Sequence, residues 1–139
     1  MRKATNILTL LVLAAGMLLT SSCQESKTAR FERETREFTE KQCPKIIGPE
    51  KMFTLDSLVF HDDGTNDFIY YYSVKTDSIG INSFNEKRDE LTNMLISGII
   101  NSPELRHVKE AGLNIVYVYK NAEDNKEIAR FTFTKDDYE

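Results

Sequence analysis

Tryptophan is absent from these 139 residues, histidine and cysteine occur twice each, and proline occurs three times. That scarcity removes whole classes of chemistry. A thiol nucleophile needs a histidine and an orienting acid gathered around it, and only His61 and His107 are on offer. A CxxC pair, a glycine-rich phosphate loop and a serine nucleophile elbow are all missing, and no cofactor motif is found. Long apolar runs are missing too. The longest, Ile7 to Leu19, covers 13 residues broken by Thr9 and Gly16, short of the about 20 that span a bilayer as a helix. Positive charge is in deficit: 18 Lys and Arg face 22 Asp and Glu, a net of −4. Nucleic-acid binding leans on clustered Lys and Arg, so an acidic balance excludes that partner class.

The apolar run has its own meaning. Arg2 and Lys3 precede it, and Leu19-Thr20-Ser21-Ser22-Cys23 follows. A basic start, a short apolar stretch and small residues form the pattern of an export signal. Its end resembles a bacterial lipobox, which implies acylation of Cys23 after removal of residues 1–22. The expected chain is then anchored by lipid in the cell envelope, with an outer-membrane location facing periplasm or surface. Several acyl chains are needed for a durable anchor, since one gives only marginal binding. The alternative is an ordinary signal peptide cut near Ser21 or Ser22, leaving Cys23 as a free thiol. Loss of the leader takes Arg2 and Lys3 with it and deepens the acidity. Residues 23–28 read as the lipidated cysteine and a short polar tether, 29–134 as one domain, and 135–139 as a frayed acidic tail. Cys43 is then the lone thiol, read as an inert residue beside Pro44, as an intermolecular disulfide partner, or as a bridge to Cys23 should that residue escape acylation.

Ala29 to Gln42 predicts a charged helix with a narrow inner stripe of Phe31, Thr35 and Phe38. Cys43-Pro44 ends it, because the residue before proline leaves the helical region. Gly48-Pro49 turns the chain. Met52 to Phe60 reads as a strand with a bulge near Ser57. His61 to Asp67 is turn chemistry. Phe68 to Lys75 returns as a strand carrying bulk on both faces, which marks a central position. Thr76 to Asn82 reads as a loop. Ser83 and Glu86 have capping-box spacing for the helix that follows, whose apolar face holds Phe84, Leu91, Met94, Leu95, Ile99 and Ile100. Ser102 and Pro103 open a short helix and Gly112 stops it. Leu113 to Lys120 and Glu127 to Thr134 alternate as the last two strands. The expectation is an α+β fold of order α-ββ-αα-ββ: a four-stranded antiparallel sheet of two hairpins, with helices on one face.

Cys43-Pro44, Leu55-Asp56-Ser57, Tyr70-Tyr71-Tyr72, Ser102-Pro103-Glu104-Leu105, Ala111-Gly112 and Tyr117-Val118-Tyr119 resemble a family of small exported bacterial proteins of unknown function. The similarity covers roughly residues 35–134. It implies a shared fold and brings no activity with it.

Two clusters compete as sites. His61, Asp62, Asp63, Asn66 and Asp67 put five possible ligands in seven residues, and the carboxylates suit a hard cation, yet Asp, Asn and Gly favour turns for backbone reasons, so plain turn is preferred and no metal is assigned. Tyr70, Tyr72, Tyr117 and Tyr119 form an aromatic strip over two strands, a partner surface if exposed. His107, three residues from Glu104 and Glu110, reads as a surface ion pair. The preferred function is a non-enzymatic, membrane-tethered domain that binds a protein or peptide in the envelope. The alternative is a small-molecule binder or weak enzyme with a pocket between sheet and helices.

Overall fold

The computed structural model of the chain describes residues 24–48 and 50–139. The expected leader, the lipidation site at Cys23 and Pro49 of the expected turn lie outside the described residues. Helix α1, Lys27–Gln42, starts where the Ser26 hydroxyl accepts the Ala29 N–H at 3.1 Å. Ion pairs one turn apart, Arg30 to Glu34 at 2.6 Å and Arg33 to Glu37 at 3.3 Å, line its solvent side. Phe31 and Thr35 are buried on the inner side, as the stripe predicts. The buried Thr35 hydroxyl donates to the Phe31 carbonyl at 2.9 Å, so it enters the core without an unmet bond. Cys43, extended before Pro44, stops the helix.

Five strands follow in sheet order β1-β2-β3-β4-β5: β1 Lys45–Ile47, β2 Phe53–Phe60, β3 Asp67–Val74, β4 Asn114–Asn121 and β5 Glu127–Phe133. The expected four-stranded antiparallel sheet is therefore corrected twice. Both hairpins exist, but β3 pairs β4 in parallel, with Tyr70 opposite Tyr117 and Tyr72 opposite Tyr119. Parallel neighbours need a long crossover, and residues 75–113 supply one, returning the chain to the end of the sheet where β3 began. The fifth strand, β1, lies antiparallel against Phe53–Leu55. Three residues are too few for periodicity to reveal a strand, and its side chains are exposed. The β2–β3 register shifts between Leu55 and Ser57, where a bulge was expected, and β3 is the central strand.

The crossover holds three helices: α2 Ser78–Glu86, α3 Arg88–Asn101 and α4 Arg106–Glu110. Where a loop was expected, the Asp77 carboxylate accepts the Gly80 N–H at 3.0 Å and starts α2 early, leaving Ser83 inside the helix rather than at its cap. Ser102 and Pro103 form a turn, with Arg106 N–H donating to the Pro103 carbonyl, and the short helix starts only after it. Gly112, at φ +68°, ends α4 as predicted. The N–H groups of Gly112 and Leu113 donate back to the carbonyls of Lys109 and Val108, a paired closure that needs the left-handed residue. The acidic tail folds as well. In α5, Lys135–Tyr138, Thr134 and Asp137 cap one another and the buried Tyr138 hydroxyl donates to the Leu113 carbonyl at 2.8 Å.

All these helices contribute to one core against one face of the sheet. Ile99 and Val108 from the crossover meet Ile115, Phe68, Phe60 and Phe31, with Phe131 and Phe133 beyond. Ile69, Val116 and Val118 make a second, smaller cluster with Tyr71 on the other face. Two helix side chains bond backbone groups on the outer strands of the sheet. Thr39 uses one hydroxyl to accept the Leu58 N–H and to donate to the Leu58 carbonyl, both at 2.9 Å. At the opposite edge Arg88 donates to the Arg130 carbonyl at 2.7 Å while its guanidinium lies over the Phe131 ring.

Candidate functional site

The parallel pairing decides the site. Because β3 and β4 run the same way in register, Tyr70, Tyr72, Tyr117 and Tyr119 form a two-by-two array on the helix side of the sheet. Their rings stand side by side: Tyr70 to Tyr117 and Tyr72 to Tyr119 are each 5.2 Å between centroids, at 17° and 15°. Along β3, Tyr70 and Tyr72 stack at 6.4 Å and 12°. All four are half-buried. None of their hydroxyls has a hydrogen-bond partner among the described residues, and none is sealed from solvent. Burial, the leading cause, pushes the Tyr72 phenol up to about 12 and raises Tyr70, Tyr117 and Tyr119 further. Neighbouring phenols add to the shifts of Tyr70, Tyr117 and Tyr119, and the Glu104 carboxylate adds to that of Tyr70. At neutral pH the floor is four protonated O–H groups, able to donate and accept.

The array lies between two helical walls. Helix α1 packs over β2, while α2 packs over β5 and α3 reaches the same strand through Arg88. Three strand spacings separate those positions, about 14 Å, whereas directly packed helices lie about 8–10 Å apart. The half-buried array lies between them, above β3 and β4. One end is occupied by Leu105 and His107, the imidazole stacked on Phe31 at 5.6 Å. There a cavity of about 210 Å³ touches Glu34, Phe38, Tyr70, Glu104 and Leu105. At the other end Phe53, Phe84 and Tyr119 meet in a tilted cluster with centroids 5.5–6.4 Å apart. A cavity of about 250 Å³ opens beside Phe53, Phe84, Lys87 and Leu91. Phe84 and Leu91 are legible in the sequence as core-helix residues, but nothing in a linear pattern shows that Phe84 meets Tyr119.

The other candidates separate from this site. Asp63 accepts the backbone N–H and hydroxyl of Thr65 at 3.0 and 2.7 Å, Asp67 accepts from Asn114 at 2.9 Å, and the Asp62 N–H donates to Glu32. These bonds close the turn, join the strand starts and tie the loop to α1, and no group of three potential metal ligands occurs among the described residues. His107 approaches Glu34 at 3.9 Å, rather than Glu104 or Glu110. The Cys43 thiol is half-buried, and burial, then the Asp56 carboxylate, pushes its pKa up, so the nucleophilic thiolate is disfavoured. No helix among the described residues is long and apolar enough to cross a membrane.

The family described as "Domain of unknown function (DUF8479)" matches residues 26–129, from the Ser26 cap to the middle of β5. The chain belongs to that family. No curated protein matches this DUF8479 chain. Three solved structures share its fold. A candidate secreted protein from Pseudomonas aeruginosa is 13% identical over 84% of this chain and 99% of its own, with a TM-score of 0.65. EpsS, the pilotin of the Vibrio vulnificus type 2 secretion system, is 14% identical over 81% and 96%, with a TM-score of 0.56. AspS, a type II secretion system pilotin from Vibrio cholerae, is 14% identical over 80% and 94%, with a TM-score of 0.52. At such identities the likeness concerns the fold of the DUF8479 domain.

Proposed function

We propose that this protein is a lipid-anchored, non-enzymatic accessory domain of the cell envelope that binds a protein or peptide at the array of Tyr70, Tyr72, Tyr117 and Tyr119. The carrying observation is the array itself: four half-buried phenols whose hydroxyls find no partner among the described residues. Tyrosine suits a surface that is apolar along its ring and polar at its tip, which is why it is enriched at interfaces. The fold shared with two pilotins and a candidate secreted protein supports an exported, envelope-associated role. Acylation of Cys23, three residues before the Ser26 cap, holds the start of α1 close to the membrane.

A small-molecule site is the lesser reading. The two cavities beside the array, about 210 and 250 Å³, fall below the roughly 300–1,000 Å³ typical of such sites, while a roomier one of about 410 Å³ lies between α1 and β2, away from the tyrosines. The test is crosslinking of the full-length protein in the cells that make it. One reproducible envelope partner, lost on Tyr70→Ala or Tyr117→Ala with the domain still folded, is the expected result. An abundant, folded protein with no partner above background overturns the reading. Labelling with palmitate analogues checks the anchor, and incorporation that survives Cys23→Ala would remove it.

A further inference from the structure

Four large apolar side chains are exposed among the described residues: Ile46, Ile47, Met94 and Ile100. Two of them flank one cavity. Ile47 lies opposite Phe53 across the β1–β2 pair, and the Phe53 and Phe84 rings meet at 6.4 Å. Both rings border the cavity of about 250 Å³ together with Met52 and Leu91, and Met94 follows Leu91 one turn on along α3. An apolar surface thus runs from Ile47 to Met94 with a recess at its centre, and such exposed patches mark interaction sites. Lys87 alone is charged in the described lining of the recess, and its ammonium makes no ion pair or hydrogen bond among the described residues. Lys51 adjoins Met52, and Lys75 donates its backbone N–H to the Met52 carbonyl at 2.9 Å. Both lysines are exposed, and their ammonium groups are likewise unpaired among the described residues. Glu50 and Glu86, next in sequence to Lys51 and Lys87, form no ion pair with them. This surface also stands apart from the anchor. Phe31, near the start of α1, meets Phe60 and Phe68, whereas Phe53 and Val74 pair at the other end of those strands, about 20 Å away at strand rise. The three residues from Cys23 to the Ser26 cap reach about 10 Å.

Resting on the reading above, we infer that the partner is an acidic polypeptide anchored at this surface, with one large apolar side chain in the recess and a neighbouring Asp or Glu on Lys87. An apolar cavity of about 150 Å³ already admits a benzene ring, so the recess has room for such a side chain. Ile47 and Met94 lie outside it, and covering both takes a polypeptide surface rather than a ligand sized to the recess. Tyr119 approaches Phe53 at 6.2 Å and Phe84 at 5.5 Å, which joins the surface to the tyrosine array. A Lys or Arg facing Lys87 is repelled, so the unpaired ammonium selects for acidic segments.

The test places a photoreactive benzoylphenylalanine at Ile47 of the full-length protein, in the cells that make it, and sequences the linked peptides. The expected result is one partner segment with Asp or Glu within about four residues of a large apolar residue. Lys87→Glu and Met94→Asp should each cut the adduct about tenfold. Lys87→Arg, and Ile100→Asp at the far end of the same helix, should leave it unchanged. Resistance to limited proteolysis confirms that each variant is folded, and Met94→Gln is the milder form should the aspartate variant unfold. Equal yields in all of these, with crosslinking still lost in Tyr117→Ala, overturn the inference and leave the reading above intact. Equal yields in Tyr117→Ala as well overturn both. A linked lipid, a second copy of this chain, or a segment without an acidic residue overturns the choice of occupant. No adduct at Ile47 overturns the inference.

Discussion

The two ends of β3 and β4 lie on the same face of the same strands, yet they are built differently. At the end where both strands begin, Phe68 and Ile115 are covered by Phe31, Ile99 and Val108 and are buried. Hydroxyls there are engaged: Thr35 on Phe31 and Tyr138 on Leu113. Two residues further along, the positions pass to Tyr70 and Tyr117 and then to Tyr72 and Tyr119, half-buried and with their hydroxyls unpaired among the described residues. The closed end is packed to hold the fold together, and the open end leaves its polar tips without a protein partner among the described residues. The first is insured by burial, while the second presents groups that a partner can satisfy.

The largest test of that contrast is Ile115→Ala. Removing a fully buried branched side chain should cost about 2–5 kcal/mol, read from urea unfolding of the folded domain. A loss below about 1 kcal/mol would mean that the closed end is not the stabilising core. Alkaline pH probes the open end next. Burial raises the folded-state pKa of Tyr72 from 10.0 to about 12, so the neutral phenol is favoured by folding. Above pH 10 the unfolded chain gives up its proton first, and stability falls as pH climbs toward 12. The contribution of Tyr72 is roughly 2 kcal/mol, fully present below pH 10. Unfolding curves that stay flat from pH 9 to 12 would contradict it, and Tyr72→Phe should shallow the slope.

Hydroxyl deletions sharpen the comparison further. Tyr138→Phe strands the buried Leu113 carbonyl and should cost about 1–2 kcal/mol. Tyr117→Phe removes a hydroxyl without a partner and should change stability by less than about 0.5 kcal/mol, while weakening partner crosslinking. Equal costs at the two tyrosines, measured by the same denaturation, would erase the distinction between the ends.

Much of this was legible along the chain. Phe31, Thr35 and Phe38 announce the inner stripe of α1, Gly112 the stop of α4, and the runs 68–75 and 113–120 the two strands that matter. The tyrosines stand out by their alternation. Less legible were β1, whose Lys45-Ile46-Ile47 is too short to have a period, and the start of α2, where Asp77 outcompetes Ser83 for the cap. The tail was read from its charge, but the burial of Tyr138 and the box of Thr134 with Asp137 turned it into a helix.

What the sequence determined by itself is local: helices from caps and i, i+4 spacing, strands from alternation, turns from Asp, Asn and Gly, and the type of residue on each face. What only the tertiary structure decided is adjacency. Nothing in residues 68–75 or 113–120 states whether they meet, or in which sense. The crossover of residues 75–113 brings them together in parallel because its helices must bury Ile99 and Val108 against the sheet. That non-local choice sets Tyr70 beside Tyr117 and Tyr72 beside Tyr119. Side-chain chemistry is written residue by residue, but a surface exists only once distant residues share it.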